Sequence, residues 1–310
     1  MEFYNHKMKT KLLLITSILI GYTGFSQQDA QYTQYMYNTI NVNPAYAGSR
    51  DVMSIFGLYR TQWIGFDGAP KTAAFSVNSP LGNNNWGMGL SFITDKIGAT
   101  DESTISLDLS YAIKVSENFK LALGLKGTGN LFNLDVNKLD IEHANDPQFQ
   151  NLDNSFTSNL GAGLYLYSNK TYLGISAPNF FETTRYNDND IELYTERLNF
   201  YFIGGHVFDL GSALQFKPAV LTKLVQGTPL QVDLSGNFLI HEKLVLGAAY
   251  RWDAAISAMA GFQITDGLFI GYGYDYETTD LSRYNSGSHE IFLRFELFNR
   301  YNNIIAPRFF

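Results

Sequence analysis

The chain has 310 residues, carries 22 Lys and Arg against 29 Asp and Glu, and contains no Cys. Its formal charge of -7 argues against nucleic acid as a partner, because phosphate binding requires clustered Lys and Arg. The lack of Cys excludes a disulfide framework and thiolate metal sites. The content of 20 Tyr, 24 Phe and 27 Gly is typical of many twisted strands rather than of a helical enzyme.

The first 26 residues have the pattern of a secretory signal peptide. They carry three lysines near the start, an apolar run over residues 12–20, and the small residues Gly24 and Ser26 at the exit. The apolar run is too short to cross a bilayer as a helix. We therefore predict a signal peptide at residues 1–26, rather than an amphipathic or buried first helix.

Beyond residue 50, apolar and polar residues alternate with a period of two. Within 103–115, for example, Ile105 and Leu107 share one face while Ser106 and Asp108 share the other. The predicted strands are 51–61, 70–79, 85–95, 103–115, 119–130, 156–168, 171–178, 197–207, 213–223, 229–239, 243–252, 255–265, 267–277 and 288–298. Their length is near the roughly ten residues that a tilted membrane strand needs.

The lengths of the connections favour a membrane barrel. Connections after even-numbered strands are short, as at 116–118, whereas those after odd-numbered strands include the long segments 131–155, 179–196 and 278–287. Short periplasmic turns and longer external loops are typical of outer-membrane barrels. The sequence thus predicts an all-β transmembrane barrel of about 14 antiparallel strands over residues 51–298. A soluble β-sandwich or a lipocalin-like barrel is the alternative. Neither fold requires that short and long connections alternate in this way.

No motif for catalysis or metal binding is recognisable. No two histidines are spaced to share one helical turn. Outside the predicted signal peptide they are His143, His206, His241 and His289. The acidic segment 186–192 lacks the glycine and closing glutamate of an EF-hand, which favours a solvated external loop over a calcium site. We predict no enzyme, no cofactor and no metal, although a membrane lipase or protease with a spatially assembled triad stays open.

Both ends of the mature chain resemble the PorP/SprF family. The segments that carry the resemblance are YMYN at 35–38, NVNPAYAG at 41–48, YRTQWIGFDGAP at 59–70, GSHEI at 287–291 and PRFF at 307–310. The resemblance implies a non-enzymatic outer-membrane component of the type IX secretion system of Bacteroidota. Such a barrel is expected to bind, help export or anchor a secreted surface protein, such as a gliding adhesin, through its C-terminal sorting domain. Other type IX secretion components and outer-membrane lipid are the further expected partners.

The segment between the signal peptide and the first strand, residues 27–50, is aromatic and polar and has no strand pattern. It contains a turn similar to the N-terminal hatch of FadL-type barrels. The residues of this turn are Asn43, Pro44, Ala45, Tyr46 and Gly48. We predict that the segment plugs the barrel from the periplasmic side, because fourteen strands enclose more space than their own side chains fill. Residues 299–310 are predicted to form a periplasmic tail.

The loop after the first strand is predicted to be external. Its candidate partner-binding residues are Gln62, Trp63, Phe66, Asp67 and Pro70. Trp63 and Phe66 could anchor a partner as aromatic hot spots, or could only seat the loop on the barrel rim or in the interfacial aromatic belt. The alternative function is a FadL-like transporter of a small hydrophobic ligand, which needs a pocket or lateral opening continuous with the lumen.

Overall fold

The structure, a computed structural model, describes residues 35–82, 85–138, 152–186 and 192–297. The predicted signal peptide, the predicted tail 299–310 and His143 lie outside the described residues, as does most of the acidic segment 186–192. Within the described ranges, no helix is long and apolar enough to cross a membrane.

Within these ranges, fourteen antiparallel strands form a closed barrel. They are β1 (Met53–Thr61), β2 (Lys71–Pro80), β3 (Trp86–Ile97), β4 (Thr100–Lys114), β5 (Lys120–Leu134), β6 (Leu152–Tyr167), β7 (Thr171–Ala177), β8 (Asn199–His206), β9 (Leu214–Val225), β10 (Gln231–Ile240), β11 (Leu244–Arg251), β12 (Ala255–Thr265), β13 (Leu268–Glu277) and β14 (Ser288–Leu297). Each strand pairs with the next, and β14 pairs with β1, so the sheet closes on itself. The predicted all-β barrel is confirmed.

The remaining described elements are short. Thr183–Tyr186 and Glu192–Glu196 form a separate hairpin, and Phe208–Asp209 extends the pairing of β9. The 3-10 helices are Tyr35–Tyr37, Thr39–Asn41, Pro44–Tyr46, Val136–Lys138 and Asp280–Arg283.

The barrel is apolar outside and polar inside. On β4, Leu107 is 49% exposed and its neighbours Ile105 and Leu109 are also exposed, whereas Ser106 and Asp108 are buried. This is the reverse of a water-soluble protein. It is the stable arrangement in a bilayer, where lipid rather than water surrounds the outer face.

Three strands extend outward by at least three residues more than predicted. β4 begins at Thr100, β5 continues to Leu134 and β6 begins at Leu152, so the predicted loop 131–155 is shorter than expected. At the outer end of the β3–β4 hairpin, the exposed Lys96 and the half-buried Asp101 form an ion pair of 3.0 Å. Beyond the lipid both faces of a strand meet water, so apolar residues no longer alternate although the backbone pairing continues.

Apolar residues on the inner face explain why some strands alternate poorly in sequence. On β1, Phe56 faces inward and its ring stacks on that of Phe292 at 5.8 Å. On β8, Ile203 is buried inside while Phe200 and Phe202 are exposed outside. The inner wall of the barrel therefore packs against something apolar at these positions.

Pro218 lies at a break in the pairing of β8 with β9. The ladder between these strands ends at Gly205 and Ala219, and pairing with β9 resumes at Phe208 and Phe216. Proline has no backbone N–H to donate, so it is accommodated where the ladder is interrupted.

Candidate functional site

Residues 35–50, called the lumenal segment here, lie inside the barrel. Three short 3-10 helices make up most of it, and the side chains of Ile40 and Ala45 are fully buried. Tyr37 stacks on the inward-facing Phe269 with ring centroids 5.4 Å apart. The apolar inner residues of the wall thus pack on this segment, which includes the described part of the predicted plug.

Glycines on the inner wall make room for the segment. A Cβ atom added at Gly124 would lie 2.1 Å from the backbone nitrogen of Ala45, and one added at Gly87 would lie 2.2 Å from the carbonyl oxygen of Ala47. Real Cβ contacts do not come this close. On these strands only glycine lets the backbone of the segment touch the backbone of the wall.

Asn43 joins the turn of the segment to the wall. Its Oδ1 accepts a hydrogen bond from the Ala45 backbone N–H at 3.0 Å, which caps the short helix that follows. Its Nδ2 donates to the carbonyl oxygen of Leu164 on β6 at 2.9 Å. A Cβ at Gly163 would lie 2.2 Å from the same Oδ1. The turn is therefore fixed in position by one side chain with two roles.

Wall side chains also bind carbonyl groups of the segment. Ser110 Oγ donates to the carbonyl oxygen of Ala47 at 2.6 Å, and Ser176 Oγ donates to that of Val42 at 2.8 Å. These bonds satisfy backbone groups that lie away from water, where an unsatisfied group would cost free energy.

The segment ends in a cluster of charges near the ends of β1 and β14. Arg50 forms a buried ion pair with Glu296 of β14. Lys217 Nζ lies 5.7 Å from the centre of the Tyr37 ring, and Arg294 Cζ lies 5.6 Å from it. Burial raises the pKa of the Tyr37 hydroxyl, so this phenol stays neutral.

At the opposite end of the barrel, which the sequence predicts to be external, the loop at 62–70 bonds to the loop at 278–287. These two loops are called the first and the last external loop below. The Ile64 N–H donates to the carbonyl oxygen of Gly287 at 2.9 Å, and the Ser286 N–H donates to that of Ile64 at 2.8 Å. The two loops meet because β1 and β14 are adjacent in the closed barrel. They form one surface although they lie at opposite ends of the sequence.

Three of the five candidate residues in the first external loop hold it in place. The half-buried Trp63 donates its indole N–H to Glu277 Oε1 at 3.0 Å and its backbone N–H to Ser288 Oγ at 3.2 Å. The Gln62 backbone N–H donates to the carbonyl oxygen of Pro70 at 2.9 Å, and Pro70 is buried. These contacts show that Trp63, Gln62 and Pro70 position the loop, whatever else they do.

Four large apolar side chains face solvent on the two loops, alongside the exposed Asp280–Arg283 ion pair. Phe66 is 49% exposed and Tyr284 is 70% exposed, and Ile64 and Leu281 are also exposed. We call these four residues the loop-tip surface. Asp67 is exposed beside Phe66. Leu281 and Tyr284 were not predicted, and only the pairing of the last strand with the first could have pointed to them.

A buried ion network lies beneath the loop-tip surface. Arg60 on β1 contacts Asp275 on β13 at 2.6 Å and Glu290 on β14 at 3.2 Å. All three side chains are almost fully buried. The network ties together the strands from which both external loops emerge, and it places two carboxylates around one guanidinium group.

We expect Arg60→Ala to destabilise the barrel by about 3–5 kcal/mol, because it leaves two buried carboxylates without their shared cation. The free energy of unfolding in urea, measured for barrels folded into lipid vesicles, tests this expectation. Lys96→Ala is the control: Lys96 is 64% exposed and its partner Asp101 35%, so the loss of this surface pair should change the stability by no more than about 1 kcal/mol. Equal effects of the two substitutions would contradict the structural role of the network.

Two of the described histidines, His206 and His289, have structural neighbours. His206 Nδ1 and Thr171 Oγ1 lie 2.7 Å apart and share a hydrogen bond, and the His289 ring packs edge-on against Tyr274 at 5.2 Å. No group of three or more His, Cys, Asp or Glu that could hold a metal occurs in the described part of the chain.

Comparisons with known proteins identify the family to which the chain is similar and show which solved structures share its fold. A family model described as type IX secretion system membrane protein PorP/SprF matches residues 24–295. No curated protein matches the chain. The CymD monoaromatic hydrocarbon channel is similar in structure, with a TM-score of 0.52 and 11% identity over 91% of this chain and 97% of that one. The Pseudomonas putida toluene transporter TodX has a TM-score of 0.51 and 8% identity over 87% of this chain and 98% of that one.

At these identities the two transporters support the fold alone, and the fold is that of an outer-membrane barrel. The match to the family model extends over most of the chain, from the predicted cleavage region to the last strand. The chain therefore belongs to the PorP/SprF family, the outer-membrane proteins of the type IX secretion system.

Proposed function

We propose that this barrel binds a protein secreted by the type IX system and helps to export it or to anchor it at the cell surface. The client is recognised through its C-terminal sorting domain. The observation that carries the proposal is the loop-tip surface, which presents apolar and aromatic side chains to solvent at the end of the barrel predicted to be external. Exposed apolar and aromatic side chains on neighbouring loops are common at sites of protein interaction.

The loop-tip surface is also held rigidly. Backbone hydrogen bonds join the two loops, the Trp63 indole fastens the first loop to Glu277, and Arg60 links the strands below. A preorganised surface loses less conformational entropy on binding, so more of the contact energy remains as affinity. Phe66 and Tyr284 have the size and chemistry of aromatic anchors in protein interfaces.

The site supplies contact rather than catalysis. The sequence of the two external loops, QWIGFDGAP and TTDLSRYNSG, includes no His, Cys or Lys. The Asp and Ser residues present would need a neighbouring activating group to act in catalysis. Asp280 instead pairs with Arg283, and the Ser282 hydroxyl donates to the carbonyl oxygen of Thr279. We therefore propose a binding function and no enzymatic activity for this surface.

The alternative function is transport of a small hydrophobic ligand. CymD and TodX, which share the fold, are a hydrocarbon channel and a toluene transporter. Transport would need a path through the lumen, and in this barrel the lumenal segment occupies that space with fully buried side chains such as Ile40 and Ala45. This occupancy favours a docking surface over a conduit.

Site-specific photo-crosslinking in the native bacterium tests the proposal. A photoreactive phenylalanine analogue replaces Phe66 or Tyr284, and Phe262, which is exposed on the lipid-facing side of β12, is the control position. We expect positions 66 and 284 to crosslink to a secreted protein with a type IX C-terminal sorting domain, and position 262 to crosslink to lipid. Failure at both loop positions, or an identical product at position 262, would contradict the proposal.

A further inference from the structure

An apolar groove of about 360 Å³ lies on the lipid-facing wall of the barrel across β5, β6, β7 and β8. It is unrelated to the external loops. The side chains that form its sides are Leu123, Leu125, Leu164, Ile175, Phe180 and Phe200. All six of these side chains are exposed and apolar.

The groove exists because the wall is thin at this place. Ala162 faces outward between the larger residues Leu160 and Leu164, so the surface of β6 is indented there. β7 ends at Ala177, after which the chain returns to β6 through a hydrogen bond from the Phe180 N–H to the carbonyl oxygen of Leu160 at 2.8 Å. Phe180 therefore projects as the far side of the groove.

Directly behind the groove, two positions on the inner face of the wall are glycines and carry no side chain. Gly124 and Gly163, which contribute to the groove floor, are the glycines that the turn of the lumenal segment touches from inside at Ala45 and Asn43. Only the backbone of β5 and β6 separates the groove from the lumenal segment. Any group that fills the groove would therefore support the wall from outside.

Strand register gives the depth of the groove in the membrane. Leu123 pairs with Tyr111, and Tyr111 pairs with Trp86. The rings of Trp86 and Tyr111 contact each other on the outer surface, with centroids 4.9 Å apart. An aromatic pair beside the short turns at this end of the barrel is typical of the periplasmic membrane interface. The groove thus starts at this interface and continues toward the bilayer centre, within the hydrocarbon of the periplasmic leaflet.

We propose that the groove binds one acyl chain of a phospholipid from the periplasmic leaflet. The headgroup lies at the level of Trp86 and Tyr111, and the chain packs along the apolar sides of the groove over Ala162. The depth of the groove places it among phospholipid tails, and its lining offers an unbranched chain continuous apolar contact. The bound chain covers the part of the wall that has only glycine behind it.

Retained lipid provides the test. Ala162→Phe fills the groove, and Ala260→Phe places the same side chain on the outer surface of β12. The two alanines are matched in depth, since each lies five residues before the periplasmic end of its strand, at Tyr167 and Thr265. The proteins are folded into phosphatidylethanolamine vesicles, extracted into detergent and washed exhaustively, and the remaining phospholipid is quantified by mass spectrometry.

We expect the unaltered protein and Ala260→Phe to retain phospholipid in a fixed ratio to protein, and Ala162→Phe to lose it. Far-ultraviolet circular dichroism and resistance to unfolding in sodium dodecyl sulfate confirm that each variant is folded. If all three proteins retained equal amounts of phospholipid, the retained lipid would be ordinary boundary lipid. If the unaltered protein lost all its phospholipid in the wash, the groove would make only contacts that detergent replaces. Either outcome overturns the proposal. If Ala162→Phe fails to fold, Leu164→Ala provides the second variant, because it widens the groove and should weaken lipid retention in a folded barrel.

Discussion

Deletion of residues 28–47 is expected to raise the ion conductance of the barrel in planar bilayers severalfold. A barrel of fourteen strands encloses a lumen wider than its own side chains fill. In the full chain much of this space is taken by the lumenal segment, whose side chains from Tyr35 to Ala47 are almost all buried. Without them, hydroxyl groups such as those of Ser110 and Ser176 would line a hydrated path.

The barrel itself should survive this deletion. Closure depends on the pairing of β1 with β14, which begins at Met53 and Leu297, outside the deleted range. The deletion also keeps Arg50, whose ion pair with Glu296 fixes the chain as it enters β1. Conductance as low as that of the full-length protein, measured on a folded deletion variant, would show that the lumenal segment does not control passage.

Gly124→Leu perturbs the same segment without removing it. The added side chain meets the backbone of Ala45, so it must displace the turn or strain the wall. We expect a loss of about 1–3 kcal/mol of stability and a conductance between those of the full-length and deleted proteins. Gly127→Leu is the control on the same strand, because this residue alternates to the lipid-facing side and a Cβ there has no atom within 4 Å. It should leave both properties unchanged.

The strands were predictable because the membrane imposes a regular pattern on them. Within the lipid band, residues such as Leu107 and Asp108 must face opposite environments, so the period of two is visible in sequence. The prediction was wrong where this constraint ends, at the outer parts of β4, β5 and β6. Backbone hydrogen bonds extend these strands into water, and such bonds leave no signature in side-chain chemistry.

The candidate site was only partly predictable, because it is formed by residues far apart in sequence. Local composition pointed to the aromatic first external loop, but not to which aromatic residue faces water. Trp63 bonds to Glu277, more than two hundred residues away, while Phe66 is free to meet solvent. Leu281 and Tyr284 became part of the surface only through barrel closure. The same applies to Gly124 and Gly163, whose role depends on where the lumenal segment lies.

Replacing both Phe66 and Tyr284 with alanine is expected to release the client protein from the cell surface. Two central aromatic anchors are each worth about 2 kcal/mol or more in a protein interface, and the loss of one such anchor corresponds to roughly thirtyfold weaker binding. Both side chains project into solvent, so their removal should leave the stability of the barrel nearly unchanged. The measurement is the amount of the client, identified by its crosslink to position 66 or 284, that stays with intact cells rather than in the medium.

Two further variants separate docking from loop positioning. Tyr276→Ala removes an exposed aromatic side chain from β13 below the loops, and it should retain the client as the unaltered protein does. Trp63→Phe keeps an aromatic ring but removes the indole donor to Glu277, so it should loosen the loop and reduce retention less than the double substitution does. If the double substitution retained the client normally in a folded barrel, the loop-tip surface would not be the docking site. If Tyr276→Ala released the client equally, retention would depend on exposed aromatic side chains in general. Tyr276 lies on the strand wall and not on the surface that the two external loops form together.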